Sequence, residues 1–344
     1  MLEKPDISDQ TLLARLRDEY RLPFAQVTFL PLGADANAAV YRAASEDGAP
    51  FFLKLTRRPL DEISVLLPRY LQASGSAAVI APLETRAGQL FGSLPPYRMI
   101  LYPYVEGRDG YQVGLTDRQW SEFGTALKTI HSIDLPPELA ARIPREDFSP
   151  RWRDRVHEFL EQTRSTSYPD PVAARMAAFF QSHRDVILQT LDRAGQLARD
   201  LAARSADFVL CHSDLHPGNL LVTASGVLFI VDWDNPLYAP KEKDLALIGG
   251  CKTWHDPRDV LLFYRGYGPA PVDRRALAYY RYERVIMDLA EFGEQILLSF
   301  DGGGDAREQA YAWFTNNFQP GGEIELAKAI DGEEGRDLGL EIGA

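Results

Sequence analysis

Residues 211–222 read CHSDLHPGNLLV, and residues 229–236 follow as FIVDWDNP. Each stretch joins a short apolar run to a polar cluster. His212 and Asp214 lie in the first, Asn219 comes five positions after Asp214, and Asp232 closes the second run. The apolar runs read as two short strands, which puts the polar groups at strand ends. A carboxylate, an amide oxygen and a second carboxylate are what phosphoryl transfer from ATP to an alcohol requires. One group accepts the alcohol proton, and hard oxygen ligands hold the magnesium ion on the phosphates. Asp214 fits the proton acceptor, Asn219 and Asp232 the metal ligands, and His212 is read as scaffolding for the loop. A lone H-x-D in a turn is more often structural, and D-x-x-x-x-N alone is common by chance. The joint pattern, with a second aspartate closing the next strand, is much rarer.

The same chemistry needs a lysine to neutralise the phosphates that stay behind. Lys54 stands in FFLKL, an apolar run in which the bland alternative is an edge-strand charge. Glu62, eight positions later at the start of the next helix, is the candidate to steady its ammonium group, with Asp61 as competitor. The turn LGADAN, 32–37, is placed to cover the phosphates. It lacks a G-x-G-x-x-G run, so Gly33, backbone amides and Asn37 would have to do that work. MILYPYVEG, 99–107, takes the place of a hinge where adenine bonds to backbone between apolar walls, which assigns Tyr102, Tyr104 and Val105 to the nucleotide. Locally, a buried strand and a turn reads equally well. The loop spacing resembles the H-R-D-x-x-x-x-N catalytic loop of protein kinases, and Asp232 stands where their D-F-G aspartate does.

Composition narrows the classes. The chain has 344 residues, enough for about two domains. It carries 37 Lys and Arg against 49 Asp and Glu, a formal charge of −12. Without a basic block it is a poor nucleic-acid binder, and a cationic small molecule is the better-matched partner. Cys211 and Cys251 form neither a disulfide framework nor a C-x-x-C pair. The opening MLEKPDISDQ has acids and no apolar stretch, and no apolar run approaches the ~18–20 residues of a bilayer span. A cytoplasmic protein with no membrane partner is expected, as a monomer or weak dimer.

Working outward, Asp9 is placed to cap a first helix, TLLARLRDEY. VTFLPLG, AVYRAAS and FFLKL read as an antiparallel meander, followed by the helix DEISVLLPRYLQAS with a disturbance at Pro68. VIAPLET and YRMILYPYV complete about five strands. Beyond Glu106 the texture turns helical. Thr116 and Gln119 form a capping box, long helical patterns cover 150–164, 171–204 and the chain from 257 onward, and a β-rich insert interrupts them at 207–234. The last dozen residues, Gly- and acid-rich, are expected to be disordered. The expected fold is α+β with two lobes: a small β-rich N-terminal nucleotide-binding lobe, 1–105, and a larger, mainly helical lobe for catalysis and substrate, 106–344.

Two other motifs are set aside. GGCKT at 249–253 lacks the spacing of a Walker A loop. His212, Asp214 and His216 suggest a metallohydrolase cluster, but no other histidine is placed as a further ligand in that motif.

The loop His212-Ser213-Asp214-Leu215-His216-Pro217-Gly218-Asn219 and the strand Ile230-Val231-Asp232-Trp233-Asp234 resemble the H-G-D-x-H-x-x-N and I-D-W-D signatures of the aminoglycoside phosphotransferases, kinase-like enzymes. GADANAAVYRA, APKEKDLALIGG and YYRYERVIMDLAEFG extend the resemblance, which points to the spectinomycin-phosphorylating type. It implies transfer of the ATP γ-phosphoryl group to a ring hydroxyl of an aminocyclitol antibiotic, with Asp214 as base, Asn219 and Asp232 on Mg2+, and Lys54 on the phosphates. Ser213 replaces the arginine of regulated protein kinases, so control by a phosphorylated activation loop is not expected. Asp244 is read as structural, capping the next helix and tying the loop down. For a dicationic acceptor the candidate contacts are Asp234, Trp233, Trp254, Tyr264, Tyr267, Glu283, Asp288 and Glu291, with Arg281 and Arg284 as alternative partners for the acids. Two rival readings stay open: a metabolic kinase for a choline-, homoserine- or sugar-like alcohol, and a catalytically silent nucleotide-binding protein.

Overall fold

The computed structural model describes residues 4–33, 37–204, 207–298 and 304–332. The middle of the expected phosphate-covering turn, 34–36, and the last dozen residues lie outside that set. Ser8 caps the first helix, α1 (Asp9–Glu19), by accepting the Thr11 N–H at 3.1 Å. The cap thus falls one residue before the expected Asp9, which is itself helical. β1 (Phe24–Leu30), β2 (Ala38–Ser45) and β3 (Pro50–Thr56) form the expected meander. Helix α2 (Ile63–Ala73) runs through Pro68, because its apolar face is buried against Leu90 and Ile100. β4 (Gly92–Leu94) and β5 (Tyr97–Pro103) complete an antiparallel sheet in the order β1-β2-β3-β5-β4.

VIAPLET is not a strand. Pro82 has no N–H to give, and the segment forms no ladder: Val79 bridges to Ile230, the Leu83 N–H bonds to the Leu101 carbonyl at 2.7 Å, and the Thr85 N–H turns back to the Gln89 carbonyl at 2.7 Å. Along β3, alternation decides the site. Leu53 and Leu55, with Met99 and Leu101 of β5, join Leu12, Leu16 and Tyr20 of the α1 side in one core. Period two sends Lys54 to the opposite face with Phe52, across from Ile100 and Tyr102.

A short β6 (Gly107–Asp109) leads to α3 (Asp117–His131). The capping box forms as expected: Thr116 Oγ1 accepts the Gln119 N–H at 3.3 Å, and Gln119 Oε1 accepts the Thr116 N–H at 2.9 Å. Four helices follow: α4 (Pro137–Ala140), α5 (Arg151–Ser165), α6 (Pro171–Ser182) and α7 (Arg184–Ala202). The stretch expected as one helix over 171–204 breaks at His183, whose ring stacks on Phe179. The β-rich insert comprises β7 (Val209–Cys211), β8 (Leu220–Thr223) and β9 (Leu228–Ile230), with β10 (Leu237–Ala239) just beyond. β6, β8 and β9 make one small sheet, and β7 pairs with β10. The remaining helices are α8 (Glu242–Leu245), α9 (Pro257–Tyr267), α10 (Arg274–Gly293), continued by a π turn over Glu294–Leu298, α11 (Gly304–Asn316) and α12 (Glu323–Gly332). The long α10 packs against α5, α7, α8 and α12.

The chain divides into two compact units, each assembled from three stretches. One comprises Met1–Glu122, Ile133–Ile143 and His216–Pro236; the other comprises Phe123–Ser132, Pro144–Leu215 and Leu237–Ala344. Among the described residues, no helix is long and apolar enough to cross a membrane.

Candidate active site

In the first unit the β8–β9 hairpin sets two candidates side by side. Leu220 pairs with Ile230, and one step further the Val231 N–H bonds to the Asn219 carbonyl at 2.9 Å. Asp232 follows at once, in the left-handed region with φ 67°. Trp233 is buried and its indole N–H donates to the Ile230 carbonyl at 3.0 Å. It was expected as an aromatic wall for substrate; burial makes it the anchor of this turn instead. The turn presents Asp232 and Asp234 to Lys54, whose Nζ lies 2.8 Å from Asp232 Oδ1 and 2.7 Å from Asp234 Oδ2. Burial pulls the pKa of Lys54 down, but the two carboxylates outweigh it and the ammonium form is held well above its ordinary range. Burial likewise pushes the Tyr102 hydroxyl up, although Lys54 opposes it.

Glu62 does not steady Lys54. Its carboxylate pairs with Arg142 at 2.9 Å, and Lys54 takes its partners from residues 178 and 180 positions away. Gly33 has the left-handed φ of 94° that a glycine permits, and the Asn37 carbonyl accepts the Arg57 N–H at 2.9 Å. Tyr102 is edge-on to Phe52, Tyr104 lies under the Arg42 guanidinium, and Val105 is half-buried. His216 accepts the Gly218 N–H on its own Nδ1 at 3.1 Å, capping the turn Pro217–Asn219.

In the second unit, Asp214 follows Ser213, which adopts φ 71°. Asp244 is buried inside α8 and does not cap a helix. It ties the loop down as expected, accepting the backbone N–H groups of His212 and Ser213 at 2.8 Å each. His131 Nε2 lies 3.0 Å from the same carboxylate, and its Nδ1 meets the Tyr267 hydroxyl at 2.7 Å. Burial alone would raise the Asp244 carboxyl, but His131 and His212 hold it below the ordinary range. His131, Cys211 and Asp244 are the group of potential metal ligands that the described residues bring together. Asp244 is already occupied by hydrogen bonds, and burial pushes the Cys211 thiol up and keeps it protonated. The cluster is a scaffold.

The Asp214 carboxylate meets Arg284 Nη1 at 2.7 Å, and Arg284 Nε lies 3.1 Å from Asp288 one turn on. Burial raises the Asp288 carboxyl, with Arg284 opposing. Glu291 is exposed on the same helix. The other substrate candidates turn inward. Tyr264 and Tyr267 are buried beside Phe263, and Trp254 is buried against Phe123. Glu283 is buried and paired with Arg153 at 3.2 Å. Arg281 donates to the Ala246 and Ile248 carbonyls and is structural. The partners that sequence spacing missed, Arg284 for Asp214 and Arg142 for Glu62, are 70 and 80 positions away, a distance at which periodicity carries no signal.

Residues 28–285 match the phosphotransferase enzyme family. The chain belongs to that family. The phosphotransferase is 34% identical to a spectinomycin phosphotransferase solved with ADP and spectinomycin; the likeness covers 95% of this chain and 99% of that one, with a TM-score of 0.87. It is 23% identical over 323 residues to Protein StrN of Streptomyces griseus, covering 89% of this chain and 92% of StrN. Choline kinase LicA from Streptococcus pneumoniae, 15% identical with a TM-score of 0.58 over 93% of this chain and 98% of that one, shares the fold. The fold is thus the expected α+β kind, a β-sheet N-terminal region and a helical C-terminal region, and the phosphotransferase is an enzyme acting on hydroxyl acceptors.

Proposed function

We propose that the enzyme transfers the γ-phosphoryl group of ATP, with Mg2+, to a hydroxyl of an aminocyclitol antibiotic, spectinomycin being the first acceptor to try. The observation that carries this reading is the near end-to-end likeness to a spectinomycin phosphotransferase whose solved structure holds ADP and that antibiotic. The grouping of Lys54, Asp232 and Asp234 supports it, since a cation between carboxylates is ready to exchange partners with phosphate and metal.

The donor set fits magnesium. Asp232 and Asn219 offer hard oxygens from adjacent positions of one hairpin end, the ligand type that ion prefers. When bound, Mg2+ would neutralise charge on the phosphates. Lys54 would pair with the phosphates that are not transferred, and Gly33, Asn37 and the Tyr102–Val105 segment would receive the rest of the nucleotide. Asp214 would orient the acceptor hydroxyl and take its proton. Asp234 and Glu291 are carboxylates that could meet a cationic acceptor, whereas Asp288 is engaged by Arg284 and Asn317. The same reading divides the chain at Val105 into a nucleotide lobe, 1–105, and a substrate lobe, 106–344, and places the enzyme in the cytoplasm.

The test is Mg2+-dependent ADP release from ATP with spectinomycin, streptomycin, kanamycin, choline and homoserine, alongside Asp214→Asn. Turnover with spectinomycin, lost in the variant by several orders of magnitude, is the expected result. Turnover with choline or homoserine alone would replace the acceptor assignment with a metabolic one. ATP binding without turnover on any alcohol would favour a silent nucleotide-binding protein.

A further inference from the structure

The loop that carries Asp214 is fixed only in its backbone by Asp244, through the N–H groups of His212 and Ser213. The two side-chain torsions of Asp214 are not set by those bonds. Arg284 reaches the carboxylate from the middle of α10: Nη1 to Asp214 Oδ1 at 2.7 Å, and Nε on another edge of the same planar fork to Asp288 Oδ1 at 3.1 Å. Asn317 donates to the other Asp288 oxygen at 3.4 Å. The side chains of Arg284, Asp214 and Asp288 are 31%, 37% and 18% exposed. An ion pair that wet adds little to folding, so stability is a weak reason for the arrangement. Its geometry is the stronger one, because a guanidinium held by one carboxylate presents a fixed direction to the second.

We propose that Arg284 is a positioning residue for phosphoryl transfer, aiming the Asp214 carboxylate at the acceptor hydroxyl while Asp288 aims Arg284. The proposal rests on Asp214 being the proton acceptor. In the step concerned, the acceptor oxygen forms a bond to the γ-phosphorus and the bond to the bridging oxygen breaks. ADP leaves, and the hydroxyl proton passes to Asp214. Arg284 takes no proton and touches neither reactant; it acts through the orientation of Asp214.

The test combines Arg284→Ala, Arg284→Lys and Asp288→Asn with and without Asp214→Asn, using Mg–ATP and spectinomycin. Arg284→Ala should lower kcat about 10²-fold, the effect of misplacing a reacting group by an ångström, with KM for ATP unchanged. Lysine should restore only part, since a point charge cannot bridge two carboxylates in fixed directions. In the Asp214→Asn background Arg284→Ala should cost nothing further. An equal loss in both backgrounds would overturn the positioning role and leave Asp214 as base; full activity of Asp214→Asn alone would overturn the base assignment instead. A crystal structure of Arg284→Ala decides the matter without any acceptor. The Asp214 carboxylate should leave its present orientation, and its staying there would sink the proposal.

Discussion

Asp244 accepts the backbone N–H of Ser213, the residue just before the candidate base, through a bond of 2.8 Å. Ser213 has φ 71°, a region costly to a residue with a side chain. The buried carboxylate therefore holds the loop before Asp214 in a conformation that the loop's own sequence does not favour.

Replacing Asp244 by Asn keeps the shape and removes the charge. We expect Asp244→Asn to unfold more easily at pH 7 by about 2 kcal/mol, the scale of a lost charge-assisted hydrogen bond in the interior. The native carboxyl sits below its ordinary value of 3.8, so the charge stabilises the fold above that pH and the contribution fades as pH falls toward the native pKa. Denaturant titrations of both proteins should show the gap closing below pH 3.8. A constant gap would mean that packing, not charge, is responsible.

Ser213→Gly is expected to be no less stable than the parent, and up to about 1.5 kcal/mol more stable. A left-handed φ costs an L residue about 1–2 kcal/mol, whereas glycine pays about 0.5–1 kcal/mol in backbone entropy. Ser213→Val, β-branched, should lose stability. Thermal unfolding of the pair, in opposite directions from the parent, is the check.

Lys54→Met should lower kcat/KM about 10²–10³-fold, the typical loss on removing one donor to developing charge. Asp232 and Asp234 are nearly half exposed, so the ion pairs add little to folding and the melting temperature should hardly move. A large fall in melting temperature would instead make Lys54 a structural charge.

Glu283 gives the protein a pH dependence of its own. Burial raises its carboxyl to about 7 from 4.5, against the pull of Lys243 and Arg153. The folded state therefore binds this proton more tightly than the unfolded chain does. The Glu283 contribution is full below pH 4.5 and declines as pH rises to about 7, by on the order of 3 kcal/mol. Glu283→Gln should gain on the parent over that interval, and parallel stability curves would refute the assignment.

Local signals in the sequence were reliable because their partners are local. The Thr116–Gln119 box closes within one turn, and the β1–β3 meander and the hairpin joining Asn219 to Asp232 pair strands that follow one another in the chain. Lys54 was legible because a charge in an apolar strand is conspicuous. The shared loop and strand signatures named the family, and with it the phosphotransferase class. What stayed hidden was which face of each helix is inward. Tyr264, Tyr267 and Glu283 share their helices with exposed residues, and a mixture of aromatic and charged side chains has no clean apolar stripe. VIAPLET shows the converse error: its apolar pattern suits a strand, and one proline removes the ladder.

The Lys54 cluster is drawn from two stretches of chain that both belong to one compact unit, while most of the segment between them, Phe123–Ser132 and Pro144–Leu215, belongs to the other. A gene recombined once, at Val105, would take Lys54 from one parent and Asn219, Asp232 and Asp234 from another. Such a crossover would splice the ion cluster itself, so related genes can trade this unit intact only through exchanges that carry all three of its stretches together.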